Sequence, residues 1–240
     1  LPRAMSIRRA WPAGRGSEVR GAGCEVEILY KIYGRGTALL AAMRPGRFLR
    51  ALGPLGNAFE VPRSATGVIM VAGGIGVPPI AALAESLAKR RTSRRTEMTV
   101  FLGGRSKADL LCAADFRRAG AKVHMATEDG SSGYEGLVTE LVNEYLSTPH
   151  PAPRQGRSKQ RPYRAPRTVL YACGPHPMLA ALTPIAEKYD LPYQASLEAN
   201  MACGFGACVG CVVAKRTGQV ESGSGASKLS RIGTSSDRLT

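Results

Sequence analysis

Three cysteines near the C-terminal end stand at a spacing with chemical meaning: Cys203, Cys208 and Cys211 form a C-x4-C-x2-C run, Cys-Gly-Phe-Gly-Ala-Cys-Val-Gly-Cys. Thiolates so spaced, on a loop freed by Gly204, Gly206 and Gly210, can wrap a plant-type [2Fe–2S] cluster while backbone N–H groups point at its sulfurs. Zinc is the competing metal and a buried thiol group the competing packing account. The short glycine-rich x4 loop suits iron–sulfur better than a paired zinc knuckle. Neither Cys nor His follows Cys211, so a fourth ligand is not found downstream. Cys24, Cys112 and Cys173 are scattered beside apolar segments and read as buried thiols. His124, His150 and His176 are isolated, and nothing pairs a nucleophile with a base.

A second chemistry lies in two turns. Val71-Ala72-Gly73-Gly74-Ile75-Gly76-Val77-Pro78-Pro79 follows an apolar run and opens a helical one. Glycines there let a phosphate approach the backbone, and a helix N-terminus favours its charge. It is not the G-x-G-x-x-G fingerprint, so alone it is weak, and a tight turn is the plain alternative. Tyr171-Ala172-Cys173-Gly174-Pro175 ends another apolar run. If both runs are strands of one sheet, Gly73, Gly74, Gly76 and Cys173, Gly174, Pro175 can face one nicotinamide nucleotide at its carboxyl edge. Arg105, after Gly103-Gly104, could meet a 2′-phosphate or simply be an exposed loop residue. Arg3-Ala4-Met5-Ser6 offers a cation and a hydroxyl, and Gly36-Thr37 a backbone N–H and a hydroxyl at a helix start. Both suit a pyrophosphate, though on physical grounds more weakly than the turns above.

The elements that must position these groups fall into two halves. Residues 24–33 alternate, with Cys24, Val26, Ile28, Tyr30 and Ile32 on one face and Glu25, Glu27 and Lys31 on the other, the period of a half-buried strand. Thr37 is placed to cap a short apolar helix over 38–43, Pro45-Gly46 marks a turn, and 48–52 reads as a further strand. This half is antiparallel and barrel-like. From Gly67 onward, apolar runs at 68–72, 98–102, 123–126, 168–172 and 193–197 alternate with helical segments at 79–91, 106–118, 136–146 and 176–188. Strands separated by helices predict a doubly wound parallel sheet, so the fold class is α/β plus β. Pro149 to Pro166 reads as an exposed, mobile insertion, and the Ser/Gly-rich chain after Lys215, with no strand alternation beyond Val220, as a disordered tail.

Composition narrows the classes. The chain has 240 residues, 44% of them hydrophobic, enough for a substantial core. Its formal charge of +15 raises the question of nucleic acid or an anionic membrane. Much of that excess sits in two loop segments, Lys89 to Arg95 with five cations and Arg154 to Arg167 with six. Tyr163 is the single aromatic residue among them and makes no stacking platform, so solvated loops are expected rather than a nucleic-acid surface. No run approaches the roughly 18 apolar residues of a bilayer span. The first residues also lack the apolar stretch of a secretory signal, and a cytoplasmic chain without a membrane partner is expected.

Taken together, Arg3-Ala4-Met5-Ser6, Leu29-Tyr30-Lys31, Gly36-Thr37, Leu52-Gly53-Pro54-Leu55-Gly56-Asn57, Gly73 to Pro79, Cys173-Gly174-Pro175 and the cysteine loop resemble the electron-transfer subunit family of type B dihydroorotate dehydrogenases, ferredoxin-reductase-like flavoproteins. The resemblance implies a partial FAD-binding barrel at 1–62, an NAD-binding α/β domain at 63–197 carrying the insertion 149–167, a [2Fe–2S] loop at 198–215 and a tail at 216–240. It implies FAD contacts at Arg3, Ala4, Met5, Ser6, Leu29, Tyr30, Lys31, Gly36 and Thr37, and three of four cluster ligands at Cys203, Cys208 and Cys211. It also implies an FMN-containing catalytic partner in a heterotetramer, NAD as acceptor and a place in pyrimidine biosynthesis. The family has Pro where Ala4 stands, barrel strands ahead of Arg3, and a fourth cysteine after the third. An N-terminally truncated and C-terminally altered copy is therefore the expectation. A sister NAD(P)H reductase subunit of a hydrogenase or sulfide-type complex, and a remnant without an intact redox chain, are the alternatives.

Overall fold

In the computed structural model, residues 4–12, 23–90, 96–148 and 168–197 are described, together with the backbone of two-residue strands at 213–214 and 220–221. The larger half is a six-stranded parallel sheet. Its strands are β3 (Gly67–Gly73), β4 (Glu97–Gly104), β5 (Lys122–Thr127), β6 (Tyr134–Glu135), β7 (Thr168–Cys173) and β8 (Tyr193–Ser196), in the order β6-β5-β4-β3-β7-β8. Every residue of β3 and of β7 is buried, the pattern of strands covered on both faces. The expected strands agree with these within two residues. Only the two-residue β6 carries no apolar run that would announce it.

Helices cover both faces. Val68, Met70 and Ala72 of β3 pack with Ile80, Ala84 and Leu87 of α2 (Val77–Lys89) and Phe116 of α3 (Ala113–Arg118). The alternate residues Ile69 and Val71 pack on the other side with Val142 and Leu146 of α4 (Val138–Ser147) and Leu179 and Leu182 of α5 (His176–Lys188). Period two in the strand thus meets period 3.6 in the helices, and the sheet is doubly wound as the alternation predicts. The segment expected as one helix at 106–118 is instead a 3₁₀ turn at Lys107–Asp109 followed by the short α3.

The smaller half departs further from expectation. β1 (Ile7–Pro12) pairs antiparallel with β2 (Cys24–Ile28), and β2 stops there rather than running to residue 33. Its apolar face is open: Val26 is 44% and Ile28 43% exposed, and Cys24, expected as a buried thiol, is exposed. Alternation assigns side chains to a face, but only a second layer buries them, and among the described residues none covers Val26 and Ile28. The strand expected at 48–52 does not form, and Phe48 is 97% exposed. Strand conformation needs a partner's hydrogen bonds, and no described segment pairs with it.

Thr37 is likewise not the cap of its helix. α1 (Arg35–Ala41) starts at Gly34, whose φ of 83° lies in the left-handed region open to glycine. Thr37 falls within the first turn, where its hydroxyl accepts from the Tyr33 N–H at 2.6 Å and donates to the Gly34 carbonyl at 3.2 Å. The tail expected after Lys215 also holds an element: β10 (Val220–Glu221) pairs antiparallel with β9 (Val213–Ala214).

The segment joining the halves is anchored at one residue. The Glu60 N–H donates to Gln194 Oε1 at 3.0 Å, while its carbonyl accepts from Gln194 Nε2 at 2.8 Å and from the Tyr171 hydroxyl at 2.7 Å. Phe59 stacks edge-on to Tyr171 with centroids 5.3 Å apart. Burial pushes the Tyr171 phenol up to about 12 and the Tyr193 phenol up as well.

Candidate nucleotide site at the sheet edge

β3 and β7 lie side by side, yet the chain leaves them in opposite directions, from β3 toward β4 and from β7 toward β8. Their following helices cover opposite faces, and such a reversal is where open α/β sheets bind ligands outside the strand ends. The two glycine-bearing turns stand there. Ala72 is registered against Cys173, which brings Gly73 and Gly174 side by side. A methyl group on Gly174 would lie 3.0 Å from the Gly73 nitrogen and 2.7 Å from Met178 Cε, and its φ of 159° suits glycine. A methyl group on Gly76 would strike the Cys173 carbonyl and come within 2.7 Å of the Gly174 nitrogen. The turns therefore interlock backbone to backbone, and side chains are absent because there is no room for them.

All the expected nucleotide residues, Gly73, Gly74, Gly76, Cys173, Gly174 and Pro175, are brought to this one edge. The helix starts differ from simple anion sites in one respect. Pro78 and Pro79 in the first turn of α2, and Pro177 in that of α5, carry no N–H. The backbone donors near α2 thus come from residues 74–77, in the 3₁₀ turn Gly74–Gly76 and the helix's first residue.

Further along the edge, the loops after β4 and β5 are tied together. The Asp129 N–H donates to the Arg105 carbonyl at 3.1 Å, and the Lys107 N–H to Ser131 Oγ at 2.8 Å. Ser131 in turn donates to Asp129 Oδ1 through its hydroxyl at 2.5 Å and its N–H at 2.9 Å, which holds the Asp129 carboxyl below its ordinary range. Arg105 itself is exposed. Asp129 and Ser131 went unread in the sequence, although Asp-Gly-Ser is a turn signal that marks the loop. Met178, which closes over Gly73 and Gly174, left no signal beyond helical periodicity.

The residues of the second expected site also converge. Ile7 opposite Ile28 puts Ala4, Met5 and Ser6, before β1, at the same end of the pair as Leu29, Tyr30 and Lys31, after β2. Gly36 and Thr37 follow in α1, with the Thr37 hydroxyl already engaged by its own turn. Arg3, Cys203, Cys208, Cys211 and the insertion 149–167 lie outside the described residues. Among the described residues no group of three or more His, Cys, Asp or Glu side chains is placed to hold a metal, and no helix is long and apolar enough to cross a membrane.

Residues 70–183 match the oxidoreductase NAD-binding domain. The chain is 40% identical over 188 residues to the dihydroorotate dehydrogenase B (NAD(+)) electron transfer subunit of Bacillus caldolyticus, covering 77% of this chain and 63% of that protein. It is 36% identical over 206 residues to the protein of that name from Bacillus velezensis, covering 85% of this chain and 70% of the other. The chain belongs to this family. It spans 63% of the length of several such relatives. The dihydroorotate dehydrogenase B electron transfer subunit family is thus represented here by a ferredoxin-reductase-like fold. A structure described as NADH-dependent reduced ferredoxin-NADP oxidoreductase superposes with a TM-score of 0.67 at 25% identity, over 86% of this chain and 67% of that one.

Proposed function

We propose that the chain is the electron-transfer subunit of an NAD-dependent dihydroorotate dehydrogenase. It would take electrons from an FMN-containing catalytic partner, through a [2Fe–2S] cluster and FAD, to NAD+, in cytoplasmic pyrimidine biosynthesis. The observation that carries this proposal is the interlocked pair of glycine turns at the strand reversal, in a chain of this family. Its working parts are the antiparallel half at 1–62, the α/β half at 63–197 and the cysteine loop at 198–215. A heterotetramer with the catalytic partner is the assembly proposed.

The residues fit the groups they would hold. Gly73, Gly76 and Gly174 let the two turns close backbone to backbone, and the N–H groups of the 74–77 turn would supply donors for an NAD pyrophosphate. Ala4 to Ser6 and Leu29 to Lys31, at one end of the antiparallel pair, would hold the flavin with Gly36 and Thr37. Cys203, Cys208 and Cys211 would supply three of the four cluster ligands. A bound flavin collects single electrons and gives up two together, which reconciles an iron–sulfur donor with a hydride acceptor. This chain's own residues act by position. They hold the nucleotide against the strand ends and keep water from the contact, and no side chain is required as acid or base.

The decisive experiment is a visible spectrum with iron and flavin quantification on the purified chain after anaerobic reconstitution. A flavin band with an iron–sulfur shoulder is expected, and colourless protein overturns the proposal. Cys208→Ser is expected to abolish iron binding while NAD binding persists, and stoichiometric iron in that variant rejects the ligand assignment. The likeness to a reduced ferredoxin-NADP oxidoreductase favours a second reading, a sister NAD(P)H reductase subunit. Copurification with an FMN protein that oxidises dihydroorotate separates the two.

A further inference from the structure

Arg8, in β1, is 5% exposed, and among the described residues it is the one charged side chain in the buried set. Its guanidinium reaches two elements at once, pairing through one terminal nitrogen with Glu27 of β2 and through the other with Asp115 of α3. The Cys112 thiol at the start of α3 lies against it, and burial pushes that thiol up despite the cation beside it. One residue along, Arg9 Nε donates to both carboxylate oxygens of Glu85 on α2, at 2.8 and 3.0 Å. No residue of β1 or β2 belongs to either apolar core cluster, and Ile7 and Trp11 are exposed. The contact between the antiparallel pair and the helices of the other half is therefore made chiefly of ion pairs.

A buried guanidinium is a poor source of net stability but a good source of unique geometry, because its planar fork tolerates few arrangements. Arg8 shows that preference directly. Its Nε is the one buried side-chain polar atom among the described residues without a hydrogen-bond partner. The group is thus committed to two carboxylates on separate elements rather than to full satisfaction. Arg9 and Glu85 give the same strand a second attachment, to a second helix.

We infer that Arg8 is a positioning residue that fixes the antiparallel pair against α3, beside the attachment of Arg9 to α2, and so sets how residues 4–6 and 29–31 approach the strand reversal proposed to hold the nicotinamide nucleotide. The inference rests on the proposed function for its kinetic readout and is independent of it for its structural one.

The test is hydrogen exchange on the full chain, comparing wild type with Arg8→Met, Arg8→Lys and Asp115→Asn. In Arg8→Met, amides of β1 and β2 should exchange about tenfold faster while those of β3 and β7 hold. NAD affinity, measured by titration, should stay within about twofold, since the interlocked turns are untouched. Lysine can reach only one carboxylate at a time, so Arg8→Lys should fall between. In flavin-loaded protein, the rate of flavin reduction by NADH should drop about tenfold at unchanged KM, with partial recovery in Arg8→Lys, because misplacement harms the transfer step rather than binding. Should Arg8→Met not accumulate as folded protein, Asp115→Asn decides, since it leaves the Glu27 pair intact. Unchanged exchange of β1 and β2 in the folded variants overturns the inference, as does a loosened pair with an undiminished transfer rate. If the chain loads no flavin, the proposed function falls while the exchange comparison still decides the role of Arg8.

Discussion

The parallel sheet and the antiparallel pair are both built from apolar residues in strand-like order, yet they end in opposite environments. In β3 all seven residues are buried, whereas in β2 four of five are exposed. The difference lies in layers rather than in composition. β3 has a strand on either side and a helix on either face, while β2 has one strand and, among the described residues, an open face. Hydrophobicity selects which side chains can enter a core, and topology decides whether there is one.

The sharpest way to break that comparison is a matched pair of truncations. Leu170→Ala, in the fully buried β7, should cost about 3 kcal/mol in denaturant unfolding. Val26→Ala should change stability by about 0.5 kcal/mol or less. A cost of several kcal/mol for Val26→Ala would mean that its face is covered in solution. Next in size is Gly76→Ala. Its methyl group collides with the Cys173 backbone, so a loss of about 2 kcal/mol is expected. NAD affinity measured by titration should fall with it, and an alanine variant with wild-type affinity would dissociate the interlock from the site.

Two smaller effects test the anchor between the halves. Because burial holds the Tyr171 phenol near 12 when folded, against about 10 when unfolded, the native state keeps a proton that the unfolded state has lost in that window. Stability is then fully present below pH 10 and falls as pH rises toward 12, by up to about 1.4 kcal/mol per pH unit. Chemical denaturation of wild type and Tyr171→Phe across that range should show a shallower alkaline decline in the variant. At neutral pH the same substitution should cost about 1 kcal/mol, one hydrogen bond to the Glu60 carbonyl, with Gln194 still in place.

What could be read in advance follows the same division. Apart from β6, the strands of the parallel sheet were legible because each is an apolar run bounded by turns, and burial leaves few other uses for such a run. Their two glycine turns were legible as well, since glycine at a strand end signals close backbone approach. The antiparallel half was misread wherever a partner was needed: 48–52 has strand composition but no described strand to pair with, and Tyr30 and Ile32 continue an alternation that the ladder does not follow. Thr37 was misassigned because a hydroxyl before an apolar stretch is a cap signal, while Gly34 starts the helix by conformation alone. Arg8, Asp115 and Glu85 were invisible, since ion pairs between residues so far apart in sequence leave no local pattern.

The grip of Gln194 on Glu60 has a consequence for how this architecture can vary. A single carboxamide, clasping the N–H and the carbonyl of one residue, does for the crossing segment what a neighbouring strand would otherwise do. Val61 and Ala65, after the clasp, pack into the core of the parallel half, so a change of length is expected to be better tolerated before Phe59 than after Glu60. A one-residue insertion at the clasp itself would shift Phe59 off the Tyr171 ring and swing one half against the other. The intolerant stretch of this crossing is set by the Gln194 and Tyr171 contacts to Glu60 and by the apolar side chains on either side of it.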